Sequence, residues 1–143
     1  MGPMNEIVPI EMDQFLSTVI QFKMDKMRLV QICASRLPGQ YELSYCFAKD
    51  LDMWTLRLVV DENTPVPSIT QMYPCAFLQE NETAELFGVK IENIVNDYQN
   101  RLYRIDRETP FKEKGKDYGE TEYSALWAAA SCSPRTGASG SGA

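Results

Sequence analysis

Histidine is absent from this 143-residue sequence, and that absence removes a large part of enzyme chemistry. Without it there is no Ser-His-Asp or Cys-His nucleophile pair, no His-ligated zinc and no His-ligated haem. Acid–base work would fall to carboxylates, Tyr, Lys or Cys, so the chain reads as a poor stand-alone enzyme. Cysteine is sparse: Cys33, Cys46, Cys75 and Cys132 never form the C-x-x-C spacing that zinc and iron–sulfur sites use. Positive charge is short as well. The 14 Lys+Arg face 20 Asp+Glu for a net −6, which argues against a nucleic-acid grip or a basic membrane patch. No apolar run approaches the ~20 residues of a membrane-spanning helix, so no direct membrane span is expected. Met1 to Glu6 lack the basic and apolar regions of a secretory signal. Together these readings predict a reduced, cytoplasmic chain without a disulfide framework.

What is present suits one domain with a real core, since 44% of residues are hydrophobic and 24% charged. Ile7 to Ile10 read as a short extended lead-in, confined by Pro9 to a sheet edge or strand start. Met12, Phe15, Leu16, Val19, Ile20, Met24 and Met27 then recur at helical spacing, predicting an amphipathic helix over 11–26 whose stripe packs into a core. Three period-2 segments follow. Val30, Ile32 and Ala34 alternate with Leu29, Gln31 and Cys33; Tyr41, Leu43, Tyr45 and Phe47 alternate with Glu42, Ser44 and Cys46; Trp54, Leu56, Leu58 and Val60 complete the set. Their connections, Leu37-Pro38-Gly39-Gln40 and Lys49-Asp50-Leu51-Asp52, carry turn residues and are short enough for hairpins. Cys33 and Cys46 read as small buried strand residues rather than ligands. The interior candidates are Leu16, Val19, Ile20, Leu43, Tyr45, Leu56 and Leu58.

Pro65 and Pro67 keep residues 64–68 out of any central strand. A second helix is predicted from Pro74 to Gly88, residues suited to a first turn and a C-terminal cap. On a wheel of about 100° per residue, Phe77, Glu80, Ala84 and Phe87 share one side, while Leu78, Glu82, Glu85 and Leu86 share the other. Residues 89–105 show no regular period and read as an extended arm. From Asp106 the composition turns charged and then Ser/Gly/Ala-rich, predicting a disordered or partner-bound tail over 106–143, with a marginal helix at 120–130 around Leu126 and Trp127. The fold class expected is α+β: an antiparallel meander of three to four strands packed by an N-terminal helix, then a second helix and an extended C-terminal arm. The domain so defined is 1–105.

The block Val66-Pro67-Ser68-Ile69-Thr70, Tyr73-Pro74-Cys75-Ala76-Phe77-Leu78, Glu80-Asn81-Glu82 and Glu85-Leu86-Phe87-Gly88-Val89 resembles the 30-kDa subunit family of respiratory complex I. That family carries V-P-S, then a helix with E-R-E, an acidic residue and F-G. Asn81 stands where the respiratory proteins have Arg, Glu85 replaces the commoner Asp, and the downstream H-P and Arg-rich ending is missing. With Asp97-Tyr98 and Leu102-Tyr103 beyond it, and Tyr41 to Phe47 upstream, the pattern is similar to the short counterparts in membrane-bound, energy-converting nickel–iron (NiFe) hydrogenases.

That resemblance implies a non-catalytic docking subunit of the cytoplasmic arm, peripheral on the inner face of the membrane. Its partners would be the NiFe large subunit and an iron–sulfur small subunit, which would hold the NiFe site and the clusters. This chain would carry no cofactor, no metal and no catalytic residue. Two other readings stand beside it: the corresponding subunit of an NADH:quinone oxidoreductase, and a stand-alone adaptor domain. A glycosidase-like carboxylate pair is set aside, because Glu80 and Glu82 lie on opposite sides of one helix. The partner-docking set expected is Phe77, Glu80, Glu82, Glu85, Phe87, Tyr98 and Tyr103. Its carboxylates would anchor basic residues of the large subunit, with a proton relay as the rival role.

Overall fold

The computed structural model describes residues 5–112. Four strands form the main sheet: β1 (Asn5–Ile10), β2 (Arg28–Leu37), β3 (Gln40–Lys49) and β4 (Asp52–Asp61), in the order β1-β4-β3-β2. The meander β2-β3-β4 is antiparallel as its alternation predicts. The lead-in is a full edge strand, but it runs parallel to β4, with Pro9 opposite Arg57, so the sheet is mixed. Pro38-Gly39 closes the first hairpin, with Gly39 at φ 74°, the left-handed conformation that glycine adopts without a Cβ clash.

The helix α1 (Met12–Met24) buries Phe15 and Val19 completely and packs Met12 and Phe22 beside them. The Phe15 ring lies 4.8 Å from Tyr45 and Phe22 lies 5.2 Å from Phe47, centroid to centroid. Positions 12, 15, 19 and 22 make one stripe. Leu16 and Ile20 lie beside it and stay 36% and 47% exposed, which corrects their assignment to the interior. The other five interior candidates, Val19, Leu43, Tyr45, Leu56 and Leu58, are buried. In β2 the pairing register shifts between Leu29 and Gln31, so Val30 is displaced outward and Leu29 and Ile32 both face Phe47 and Tyr45. Cys33, expected inside, is exposed, and Cys46 is half-buried.

Beyond the sheet, Val66 and Ile69 enter the core and the chain turns into α2 (Ala76–Phe87), which lies along the outer edge of β2. Gln79 Oε1 accepts from the Ile32 amide at 3.1 Å, satisfying an edge donor. Gly88 ends the helix at φ 78°, its amide bonded to Ala84 O at 3.0 Å, as its place in the sequence predicts. The two-proline segment stays out of the main sheet as expected; β5 (Val66–Pro67) lies parallel to β6 (Ile91–Glu92) in a separate two-stranded sheet. The ladder uses Val66 N–H to Lys90 O and Ser68 N–H to Glu92 O, stepping over the proline that has no N–H.

Packing also continues past the expected boundary at 105. Phe111 N–H donates to Leu86 O at 2.8 Å and its ring lies 5.4 Å from Phe87. The remainder of the expected tail, including the 120–130 helix, lies outside the described residues. Among the described residues no helix is long and apolar enough to cross a membrane.

Candidate docking surface

The helix α2 is written inside out. Its buried side chains are Ala76, Glu80, Asn81, Thr83 and Glu85, whereas Leu78 is 48% exposed. Buried polar groups need partners, and here each of Glu80, Asn81 and Glu85 finds them within its own chain.

Glu80 is fully buried, against the 66–70 segment. Its Oε2 accepts from Ser68 Oγ at 2.5 Å and its Oε1 from the Ile69 amide at 2.8 Å. Ser68 Oγ lies 2.6 Å from Thr70 Oγ1, which in turn accepts from the Val95 amide at 3.1 Å. A hydrogen-bonded chain thus links the carboxylate to the arm. Burial raises the Glu80 pKa above its ordinary value, and the Ser68 and Ile69 donors pull it partly back. The fully buried Tyr45 hydroxyl has no hydrogen-bond partner among the described residues; burial pushes its pKa up, and the Glu80 charge adds to that.

Asn81 clamps the arm from the next position. Its Nδ2 donates to Phe77 O at 2.7 Å and to Asn96 O at 2.8 Å, while Oδ1 accepts from the Tyr98 amide at 2.8 Å. One turn on, Glu85 accepts from the Leu102 amide at 2.7 Å and from Tyr103 at 3.2 Å. The arm is therefore fastened to α2 by main-chain donors, without regular strand pairing along 93–105. The segment read from the sequence as an extended arm is thus packed on α2 within its own chain. Glu80 and Glu85 face inward and are satisfied there, so they are not exposed anchors for a partner's basic residues.

The rest of the expected docking set divides into three groups. Phe77 stacks on Tyr98, centroids 6.3 Å apart and planes at 25°. Glu82 lies beside Tyr103, whose pKa is raised by burial first and then by the Glu82 charge. Phe87 stands apart, against Phe111 and below the Tyr41 hydroxyl, which donates to Phe87 O at 2.8 Å. Tyr98 and Tyr103 remain 46% and 44% exposed. A groove of about 480 Å³ is lined by Glu85 and by arm residues from Gln99 to Thr109, among them Asn100, Arg101, Ile105 and Arg107. Ser68, Thr70 and Gln79 were not among the site candidates. Ser68 and Thr70 lay in the recognised block, but nothing in their spacing said that they would hold Glu80.

This geometry, a β-meander with a polar-cored helix clamping an extended arm, accompanies a direct family match. The family model described as "Respiratory-chain NADH dehydrogenase, 30 Kd subunit" matches residues 8–114. The chain belongs to that family. The match runs through β1, α1, the meander, α2 and the arm, and it too passes beyond residue 105. No curated protein sequence matches the chain. Among solved structures, a chain in the structure of the membrane-bound sulfane sulfur reductase, an archaeal respiratory membrane complex, is similar with a TM-score of 0.69. The two are 18% identical over 88% of this chain and 78% of that one, a likeness of fold.

Proposed function

We propose that this 30-kDa-family chain is a structural subunit of the hydrophilic arm of a membrane-bound, energy-converting complex of the NiFe-hydrogenase type. It docks on the large subunit and carries no redox centre of its own. The NiFe site and the iron–sulfur clusters belong to neighbouring subunits, and the complex couples ferredoxin-linked hydrogen chemistry to ion movement across the membrane. The observation that carries the docking role is the surface left once α2 has used its own carboxylates. The Phe77–Tyr98 stack, Glu82 and Tyr103 form an aromatic rim with charged neighbours on an arm hydrogen-bonded to α2, and exposed aromatics of this kind suit a protein interface. The hydrogenase reading is supported by Asn81 and by the Asp97-Tyr98 and Leu102-Tyr103 pattern. The similar chain in a sulfane sulfur reductase complex supports a respiratory membrane assembly but favours another electron acceptor.

The test is to isolate the complex from native membranes through an affinity tag on this chain. Hydrogen evolution from reduced ferredoxin, with nickel in the preparation, is expected. Reduction of sulfane sulfur or quinone without nickel would reject the hydrogenase type and keep the subunit role. Recovery of this chain alone would reject both.

A further inference from the structure

The turn between α1 and β2 carries three basic residues within six positions, Lys23, Lys26 and Arg28, in a chain that is acidic overall. Lys23, Lys26 and Arg28 are all exposed and border one hollow of about 420 Å³, whose floor is Met27, Leu29 and Tyr73. The single carboxylate in that stretch, Asp25, accepts from Gln21 Nε2 at 3.2 Å, leaving three cations against one anion. The ion pairs found among the described residues, Arg36–Glu62 and Arg57–Glu42, involve none of the three. In a chain of net −6, such a cluster is a local reversal of sign.

The hollow is also preformed. Tyr73 Oη donates to Met27 O at 2.9 Å, and Lys23 Nζ sits 4.7 Å from the Tyr73 ring centroid. Lys26 is held at φ 58° between the bonds of its own amide to Lys23 O and of the Met27 amide to Phe22 O. Leading up to it along α1 is the stripe that the core leaves uncovered: Leu16, Ile20 and Met24, 36%, 47% and 71% exposed. These positions are spaced four apart, a row of about 12 Å on one helix face.

We infer that this stripe and the basic hollow form one binding site for an acidic segment of a neighbouring subunit that also carries apolar side chains. Charge complementarity selects the acid, and the row of Leu16, Ile20 and Met24 selects the apolar partners. A free phosphate would leave the stripe unused. An anionic lipid surface would engage the charges of the hollow without matching the spacing of Leu16, Ile20 and Met24 along α1. The site lies at the α1–β2 end, on residues other than those of the α2–arm rim. It rests on the subunit reading only for the source of the segment.

The full chain is titrated with a labelled peptide bearing Glu and Leu at helical spacing. Its Gln-for-Glu isostere, inorganic phosphate and phosphatidylglycerol vesicles serve as the other probes. The acidic peptide should bind, weaken as salt is raised, and lose at least about tenfold in affinity with K26E/R28E. Ile20→Ser should weaken it independently, and neither variant should change the chain's own melt. Equal binding of the isostere, indifference to K26E/R28E, or vesicles bound with the same variant dependence would overturn the site. In membranes, K26E/R28E should reduce co-purification of a neighbouring subunit. A complex that assembles normally with K26E/R28E would overturn the neighbouring-subunit source and leave the subunit reading standing. Failure of the unmodified chain to bring down any subunit would reject the subunit reading itself.

Discussion

At Glu80, a carboxylate with two donors is enclosed by its own chain, and its pKa lies above the ordinary 4.5 because burial outweighs the Ser68 and Ile69 hydrogen bonds. Between 4.5 and the raised folded value, the native state keeps a proton that the unfolded state has released, so stability falls as pH rises through that window. Glu80→Gln keeps an acceptor for Ile69 and cannot ionise. Its denaturant midpoint should gain on the parent protein as pH rises from 4.5, and parallel pH profiles would refute this. Glu80→Ala instead leaves Ile69 N–H and the Ser68 hydroxyl without their acceptor and should cost about 1–3 kcal/mol. In the apolar core the contrast is between Leu56, fully buried opposite Tyr45, and Ile20, half-exposed on α1. Leu56→Ala should cost about 2–5 kcal/mol and Ile20→Ala less than about 0.5 kcal/mol, as read by urea titration. Similar costs at the two positions would mean that the stripe at 16, 20 and 24 is covered in the isolated chain.

The elements divide by how locally each is determined. The Gly88 cap, the Pro38-Gly39 hairpin and the alternation of β3 and β4 were legible because each follows from a period or a turn residue within a few positions. Three features were not. The parallel pairing of β1 joins residues some fifty positions apart, as Ile7 and Thr55 do, and no local pattern encodes it. The bulge at Val30 breaks a period-2 pattern that the residue types alone leave intact. At α2 a wheel that weighs apolar residues misjudged the buried face, because Glu80, Asn81 and Glu85 bond to main-chain groups up to eighteen positions away. Their partners, the amides of Ile69, Tyr98, Leu102 and Tyr103, have no side-chain signature. This makes the arm testable as an element. Glu85→Ala should raise amide exchange at Leu102 and Tyr103 while leaving the β3 amides protected. Exchange that stays slow at both would show that the arm is held by other contacts.

For the molecule as a whole, the division of labour in α2 separates assembly from folding. Glu80, Asn81 and Glu85 belong to the fold, while Glu82 and the half-exposed rings of Tyr98 and Tyr103 are the part of the proposed docking set that stays at the surface. The arm is gripped through main-chain amides, so truncating Tyr98 or Tyr103 to Ala removes contact surface and leaves the Asn81 and Glu85 bonds in place. The double variant Tyr98→Ala/Tyr103→Ala should therefore keep a cooperative melt, lowered only by the lost Phe77 stack, and lose co-purification with the large subunit. Glu82→Gln should give a smaller loss, since a charge at an interface rim acts mainly on the rate of association. Glu80→Gln should do the opposite, altering the pH profile of the melt while assembly persists. If Glu80→Gln abolished assembly with its melt unchanged, the carboxylate would have to reach the partner and the inward assignment would fail. If the tyrosine variant assembled normally, the α2–arm rim would not be the docking surface, and the hollow beside α1 would be left to carry the contact.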